Sequence, residues 1–398
     1  MLTRLVAKNF KRFHELDIEL GSPVVFVGPN DSGKTTALQA LALWSVGLSR
    51  WTEKRGTKPP EKRPGVTINR NDLIALPVPD ANLLWRDLHV RDVRRVEGKQ
   101  RTTNIRVDIT VEGVDKGESW KCGLEFDYAN EQSFYCRPLR LAEVSQPDRM
   151  EVPEAATQTR VAYLPPMSGL ATNEIRLDPG AINVRMGEGR TAEVLRNLCL
   201  AVLNTENGDS RWRSIVDRIQ RLFGSKLDPP QYIAERGEVQ MSFVSPEGTR
   251  LDLSSSGRGL QQTLLLMAYL VTNPHATLLL DEPDAHLEIL RQRQIYSALN
   301  EIASEHGSQI IAASHSEVIL NEAADRDVVV AFVGRPHRID DRGSQVAKHS
   351  SGLGSTSTSR PSRRGGSSIS RGRPTLHRSG HSRRYLSTRL EEPLIVHS

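Results

Sequence analysis

The chain has 398 residues, 37% hydrophobic and 25% charged, with three cysteines and a formal net charge of +5, which gives room for two or three domains and suits a polar globular protein. No apolar run reaches the ~18 residues of a membrane span, residues 1–8 lack the apolar core of a signal peptide, and Cys122, Cys136 and Cys199 form no ligand cluster, so no membrane partner and a cytoplasmic protein with reduced thiols are expected. The positive charge is local: from Arg342 onward there are 11 Lys and Arg against 2 Asp and Glu, and the other 42 basic and 46 acidic residues leave the body at −4, so the overall basicity is no sign that the body binds nucleic acid.

In chain order, residues 2–8 and 16–20 alternate like the strands of a hairpin around Asn9-Phe10-Lys11-Arg12-Phe13. The run Pro23-Val24-Val25-Phe26-Val27 predicts a buried strand, and residues 37–44 begin a helix that reaches about residue 48. Between them stands Gly28-Pro29-Asn30-Asp31-Ser32-Gly33-Lys34-Thr35-Thr36, which fits the phosphate-loop spacing G-x-x-x-x-G-K-[ST]. At a strand-to-helix junction, free backbone N–H groups and the helix dipole favour a polyphosphate. Gly28 and Gly33 permit the strained backbone and close phosphate approach. Lys34 is expected to reach the β- and γ-phosphates, and the Thr35 hydroxyl to hold Mg²⁺. Thr36 falls in the helix.

Residues 50–80 are rich in Lys, Arg, Pro and Gly and read as an exposed insertion; Trp51 and Trp85 suit packing as well as a nucleic-acid platform. Residues 103–111 and 120–126 alternate with period two around the turn Glu112-Gly113-Val114-Asp115-Lys116-Gly117. They predict an antiparallel sheet inserted between the phosphate loop and the later core. Val161-Ala162-Tyr163-Leu164 reads as a short buried strand stopped by Pro165-Pro166. Residues 191–204 and 212–223 read as amphipathic helices, and 239–244 as one strand with its turn at Pro246-Glu247-Gly248. Strands at 277–280, 309–313 and 328–333 and a helix at 285–303 return the chain to α/β, and no internal repeat is seen.

Three later stretches carry chemistry. Strand 277–280 ends in Asp281-Glu282-Pro283. Facing a phosphate loop, Asp281 would hold the metal shell and Glu282 would orient and activate the attacking water; alone, the pair would be an acidic turn capping the next helix. Leu253-Ser254-Ser255-Ser256-Gly257-Arg258-Gly259-Leu260-Gln261-Gln262 opens a long apolar helix. It is either a second anion site by the same dipole reasoning or an ordinary serine N-cap. One nucleotide does not need two such sites from one subunit, whereas two facing subunits do. Ile310-Ile311-Ala312-Ala313-Ser314-His315-Ser316 puts His315 at a strand end, either as a sensor of the γ-phosphate or as a structural residue.

Phosphate loop, Ser/Gly signature, Asp-Glu-Pro strand and terminal His, in that order, resemble an ABC-type ATPase head of the SMC- and RecF-like branch. Leu279-Leu280-Asp281-Glu282-Pro283-Asp284-Ala285-His286-Leu287, Asn9-Phe10-Lys11-Arg12-Phe13 and Val333-Gly334-Arg335-Pro336-His337 resemble the OLD-type (overcoming lysogenization defect) AAA/ABC ATPases in particular. The resemblance spans residues 1–339. It implies an α/β fold, an ABC-type P-loop NTPase head with an inserted antiparallel β-subdomain (insertion about 50–245) and a disordered tail from 340. It implies ATP and Mg²⁺ as cofactors, ATP hydrolysis, and a homodimer closed around ATP. Ser255, Ser256 and Gly257 would meet the partner's γ-phosphate, with Asp284 and His286 near the seam. The signature departs from Leu-Ser-Gly-Gly-Gln: Ser255 and Ser256 stand at its glycines and Gln261 is displaced. The family's Q-loop glutamine has no clear counterpart, although residues 165–169 are its expected region.

The implied setting is DNA maintenance or phage defence, with DNA and a separate nuclease as partners. The alternatives are an ATPase subunit of a transporter, against which the long insertion and irregular signature speak, and a nucleic-acid-binding protein acting through its basic tail. From residue 343 Ser, Arg and Gly dominate, as in a disordered tail that touches nucleic-acid phosphates. OLD-type proteins commonly continue into a Toprim nuclease domain, which gives the tail a second reading. Codons for residues 364–376, read one base early, can spell Gly-Trp-Phe-Leu-Tyr-Leu-Glu-Gly-Ser-Thr-Asp-Leu, like a first Toprim strand. A slipped frame near residues 345–352 would then explain the tail. Stop codons in the alternate frame of the gene would rule it out. No Toprim metal site stands in frame, so the chain is not read as a nuclease.

Overall fold

The computed structural model describes residues 1–339 apart from 57–64, 74–75, 77, 97–98, 143–147, 168–169, 172 and 325. The expectations for the tail lie outside the described residues. In chain order the elements are β1 (Leu2–Phe10), β2 (Phe13–Glu19), β3 (Val24–Val27), α1 (Lys34–Arg55), β4 (Val66–Asn69), β5 (Arg91–Val96), β6 (Lys99–Asn104), β7 (Arg106–Asp115), β8 (Glu118–Asn130) and β9 (Ser133–Pro138). There follow α2 (Glu154–Thr157), β10 (Arg160–Leu164), α3 (Pro179–Gly187), α4 (Leu195–Leu203), α5 (Gly208–Phe223), β11 (Lys226–Leu227), β12 (Gln231–Ile233), β13 (Glu238–Gln240), β14 (Ser242–Val244) and β15 (Arg250–Asp252). The last are α6 (Arg258–Thr272), β16 (Ala276–Asp281), α7 (Ile289–Glu305), β17 (Gln309–Ser314), α8 (Glu317–Ala324), β18 (Val328–Ala331) and β19 (His337–Arg338).

Among the described residues two six-stranded sheets organise the chain. One runs β10-β16-β17-β3-β18-β19 and is parallel except at the β18–β19 edge. Its central strands are apolar throughout, as burial on both faces requires. The other runs β2-β1-β7-β8-β9-β4 and is antiparallel. Helix α1 lies between them. Leu38, Leu41 and Trp44 share one core with Val107, Leu124 and Phe134 of the antiparallel sheet and with Leu279, Ile311 and Val330 of the parallel one. A helix with apolar residues around most of its girth is used in this way. Trp44 Nε1 donates to the Cys122 carbonyl at 3.1 Å. The opposite face of the parallel sheet is covered by α4, α5, α6 and α7 around Leu264, Leu278 and Leu299.

Several expectations change. Helix α1 runs to Arg55, so Trp51 is fully buried on it, and Trp85 is only 1% exposed with its Nε1 donating to the Ile105 carbonyl. Both tryptophans pack; neither forms a platform. The antiparallel sheet is not the insertion's alone, because β1 pairs with β7 from Leu2↔Gly113 to Lys8↔Asp108. The N-terminal hairpin completes it. Residues 239–244 are two strands: β13 pairs with β12, while β14 pairs with β11 and β15. Buried Met241 is the point at which the backbone changes sheets. The helix expected from residue 285 starts at Ile289, because Glu282 (φ 50°) and His286 (φ 63°) take left-handed backbone and keep the intervening residues in turns.

Candidate functional site

Strand β3 delivers the phosphate loop to the carboxyl edge of the parallel sheet, where ligands of such sheets bind. Gly28 has φ 152° and Gly33 φ 106°. A Cβ on Gly33 would sit 2.5 Å from Phe13 Cζ and 2.8 Å from Arg12 Cδ, and one on Gly28 would sit 2.8 Å from the Phe332 carbonyl oxygen. Space as well as backbone angle therefore demands glycine at both places. Lys34, first residue of α1, is buried; its Nζ donates to the carbonyls of Gly28 (2.8 Å) and Pro29 (2.9 Å). Burial lowers the Lys34 pKa, while Glu282 and Asp281 oppose the shift.

Strand β16 brings Asp281 to the same edge. Thr35 Oγ1 donates to Asp281 Oδ1 at 3.0 Å, joining residues 246 apart in sequence. Asp281 is only 4% exposed, and burial raises its pKa against the hydrogen bonds from Thr35 and Tyr163. Glu282 follows in left-handed backbone, held by its N–H donating to the Ala313 carbonyl at 2.9 Å. Such strain, on the order of 1–3 kcal/mol, persists only where the surroundings enforce it. The Glu282 carboxylate remains partly accessible in a cleft of about 580 Å³ that it lines with Asn30, Asp31, Ser32, Gly33, Lys34, Thr35, Thr36 and Arg12. His315, at the end of β17, has its Nδ1 3.8 Å from Glu282 Oε1. The phosphate loop, Asp281, Glu282 and His315 thus converge. A larger cleft of about 1000 Å³ lies at the opposite end of the sheet, beside Pro23, Ala276 and Gln309. It is remote from these groups, so size does not identify the site.

The donor set fits a hard cation. A threonine hydroxyl and a nearly buried carboxylate stand within 3.0 Å, and Mg²⁺ is commonly held by one or two such oxygens plus substrate phosphates. Among the described residues no group of three or more His, Cys, Asp or Glu forms an all-protein cage.

The Ser/Gly signature lies elsewhere. Ser255, Ser256 and Gly257 line a separate groove of about 470 Å³ with His286, Leu287 and Arg291. None of the residues lining the phosphate-loop cleft lines this groove. Ser255 and Gly257 are exposed, and nothing lies within 4 Å of a Cβ built on Gly257. The turn is braced from behind: Gln261 Nε2 donates to the Ser256 carbonyl (3.0 Å), and Asp252 Oδ1 accepts from Ser254 N (2.8 Å). Asp284 is buried near the Asp-Glu-Pro turn, where burial raises its pKa.

Sequence reasoning missed three participants. Tyr163, on β10, donates from its OH to Asp281 Oδ2 at 3.1 Å. This ties the strand leading into the expected Q-loop region to the candidate metal ligand. Arg12 lines the phosphate cleft from the β1–β2 turn. Arg196, 1% exposed, donates from Nη2 to Asp252 Oδ1 (3.0 Å) and from Nη1 to the Ala171 carbonyl (3.1 Å), so it holds the signature turn from within the helical layer. Glu174 lies beside it, accepting from the backbone N–H groups of Arg196 (2.9 Å) and Asn197 (2.6 Å). No local sequence pattern marks these residues.

Comparison with known proteins finds AAA-domain family models over two separate parts of the chain. A family model described as "AAA domain" matches residues 4–146, and one described as "AAA domain, putative AbiEii toxin, Type IV TA system" matches residues 195–321. An OLD nuclease of Thermus scotoductus is 49% identical over 43 residues, a match spanning 11% of this chain and 8% of that protein. Similar solved structures include the SMC head domain from Thermotoga maritima, with 18% identity, 85% of this chain and 98% of that chain covered, and TM-score 0.41. The SmcHead bound to the C-winged helix domain of ScpA shows 15% identity, coverage of 87% and 99%, and TM-score 0.47. No helix of the described residues is long and apolar enough to cross a membrane.

Proposed function

We propose that the chain is an OLD-type AAA/ABC ATPase head that binds and hydrolyses ATP and dimerises around it. The observation that carries this is the 3.0 Å hydrogen bond between Thr35 and Asp281, which joins the two halves of a nucleotide site from distant parts of the chain. Lys34 would exchange its two loop carbonyls for phosphate oxygens, so the bare loop holds the ammonium ready at small reorganisation cost. Thr35 and Asp281 would hold Mg²⁺, which supplies charge to neutralise the β- and γ-phosphate oxygens. Glu282 takes the proton of the attacking water, and His315 beside it donates a hydrogen bond toward the γ-phosphate. The signature turn, exposed and apart from the phosphate loop, supplies Ser255, Ser256 and Gly257 to the ATP of the facing protomer. DNA maintenance or phage defence is the setting we assign to this head, by kinship with OLD-type proteins, with DNA and a separate nuclease as its partners.

Sedimentation of the full chain with and without ATP tests this. Lys34→Ala is expected to abolish nucleotide binding. Glu282→Gln is expected to retain binding, lose turnover by about 10²-fold or more, and accumulate as a dimer. Equal turnover in Glu282→Gln and wild type would refute the assignment.

A further inference from the structure

A row of polar side chains runs from the β1–β2 turn, through α1 and β10, to the buried carboxylate of β16. Lys11 Nζ donates to Gln39 Oε1 at 2.6 Å. Gln39 stands four positions after Thr35 on α1 and shares its face. Burial and the nearby Asp281 raise the Tyr163 pKa, and a hydrogen bond from the Gln39 side chain opposes them, as a donor to the phenol oxygen does. Tyr163 OH in turn donates to Asp281 Oδ2 at 3.1 Å, while Thr35 Oγ1 donates to Oδ1 at 3.0 Å.

The two ends fix the direction of every link. Burial lowers the Lys11 pKa to about 8, so at neutral pH Lys11 is an ammonium, which donates and cannot accept. It therefore faces the oxygen of the Gln39 amide, and this turns Nε2 toward Tyr163. An ionised Asp281 accepts and cannot donate, so it takes the phenol proton while the phenol oxygen accepts from Gln39. Lys11 is held firmly for this task. Its backbone is left-handed (φ 46°), and its N–H donates to the Leu84 carbonyl at 2.9 Å. Asn9, also left-handed (φ 55°), donates from Nδ2 to the Arg106 carbonyl at 3.1 Å. Residues with a side chain keep such backbone where the surroundings enforce it. The next residue, Arg12, lines the phosphate cleft.

We propose, resting on the reading of Asp281 as a holder of Mg²⁺, that Lys11 and Gln39 are positioning residues: they aim the Tyr163 proton at Asp281 and so fix the carboxylate for its cation. A brace between the turn and α1 needs the same contacts but not their direction. Gln39→Glu separates the two. It is nearly isosteric and gives Lys11 a charge-assisted partner, so a brace would be strengthened. It also puts a second group that only accepts beside the phenol, and the one proton of Tyr163 cannot serve two carboxylates.

The test is binding of a fluorescent ATP analogue to the full chain, in EDTA and over a titration of magnesium chloride. For Gln39→Glu, the melting temperature and the affinity in EDTA should match wild type. The magnesium concentration that gives half of the tightening should rise about fivefold, the size of one net hydrogen bond lost. Gln39→Met removes the amide but leaves the Tyr163 proton to Asp281, so it should raise that concentration less. Lys11→Met frees the amide to turn over and should raise it, whereas Lys11→Arg, which also only donates, should keep the wild-type value. An unchanged or lowered magnesium requirement in Gln39→Glu, with the magnesium effect abolished in Asp281→Ala, would overturn the positioning role and leave the metal reading standing. So would a larger effect of Gln39→Met than of Gln39→Glu. Should Gln39→Glu fail to fold, equal requirements in Lys11→Met and Lys11→Arg would overturn the proposal. A wild type without a magnesium effect, or an effect that Asp281→Ala leaves intact, would overturn the metal reading and the positioning role together.

Discussion

The phosphate loop and the signature turn are built in opposite ways. The phosphate loop is enclosed: Phe13 abuts Gly33, Phe332 abuts Gly28, and Thr35 and Tyr163 converge on one buried carboxylate. The signature turn is exposed in front and braced only behind, by Gln261, Asp252 and Arg196. On the proposed function, the first would hold a nucleotide within one protomer. The second has donors without an enclosure, which is what a surface awaiting another copy's ligand needs. On the proposed function, one chain would bind nucleotide firmly and associate conditionally, since the nucleotide would complete the second surface.

Mutations can break this contrast from either side. The largest effect is expected from Asp281→Ala, which removes the acceptor of both Thr35 and Tyr163; phosphate release should fall by about 10²-fold or more, while the signature half stays intact. Next comes Asp252→Ala. Its side chain is about half exposed, so the fold should tolerate the change, but Arg196 and Ser254 lose their common partner. ATP-dependent dimerisation of the Glu282→Gln protein, read by sedimentation, should weaken about tenfold, the size expected for losing a charge-assisted bond. Nucleotide binding by the monomer should not move, and an equal loss of both would erase the distinction between the halves. Tyr163→Phe removes one hydrogen bond to Asp281 and should reduce turnover about fivefold, in line with ~1 kcal/mol, with the melting temperature little changed.

The smallest effect concerns pH. Burial raises the Glu174 carboxyl from 4.5 to about 7, against the N–H groups of Asn197 and Arg196. A carboxyl raised on folding contributes most below its unfolded value of 4.5, and that contribution is lost as pH rises through about 7. Glu174→Gln should therefore flatten the dependence of melting temperature on pH between those values. An unchanged slope would show that Glu174 is not its source.

The phosphate-loop half was legible because its chemistry sits in contiguous residues, Gly28 to Thr36 and Asp281-Glu282, whose neighbours also announce a strand and a helix. The bracing residues were not. Tyr163 meets Asp281 across 118 positions and Arg196 meets Asp252 across 56, and neither looks unusual among its neighbours. Alternation misled at residues 239–244, where period two continues through Met241 although the strand changes partners. A helix-forming sequence misled after Ala285, where left-handed backbone at His286 delays the helix. The antiparallel sheet was anticipated as an insertion, but its pairing with β1 depends on long-range register that no local window reveals.

The position of β3 has a consequence for how the protein is made. This strand leaves the ribosome early, yet its two sheet neighbours are β17 and β18, whose residues Ile311 and Val328 pair with Val24 from 287 and 304 positions later. Gln309, which opens β17, also clamps the backbone N–H and carbonyl of Leu2. Until that late segment is synthesised, the nascent phosphate-loop strand has two open edges and the first strand lacks its rivet. Folding of the parallel sheet must therefore wait for nearly the whole body, and such non-local closure is slow and prone to aggregation. Nascent chains arrested before residue 309 should be the ones that engage chaperones longest.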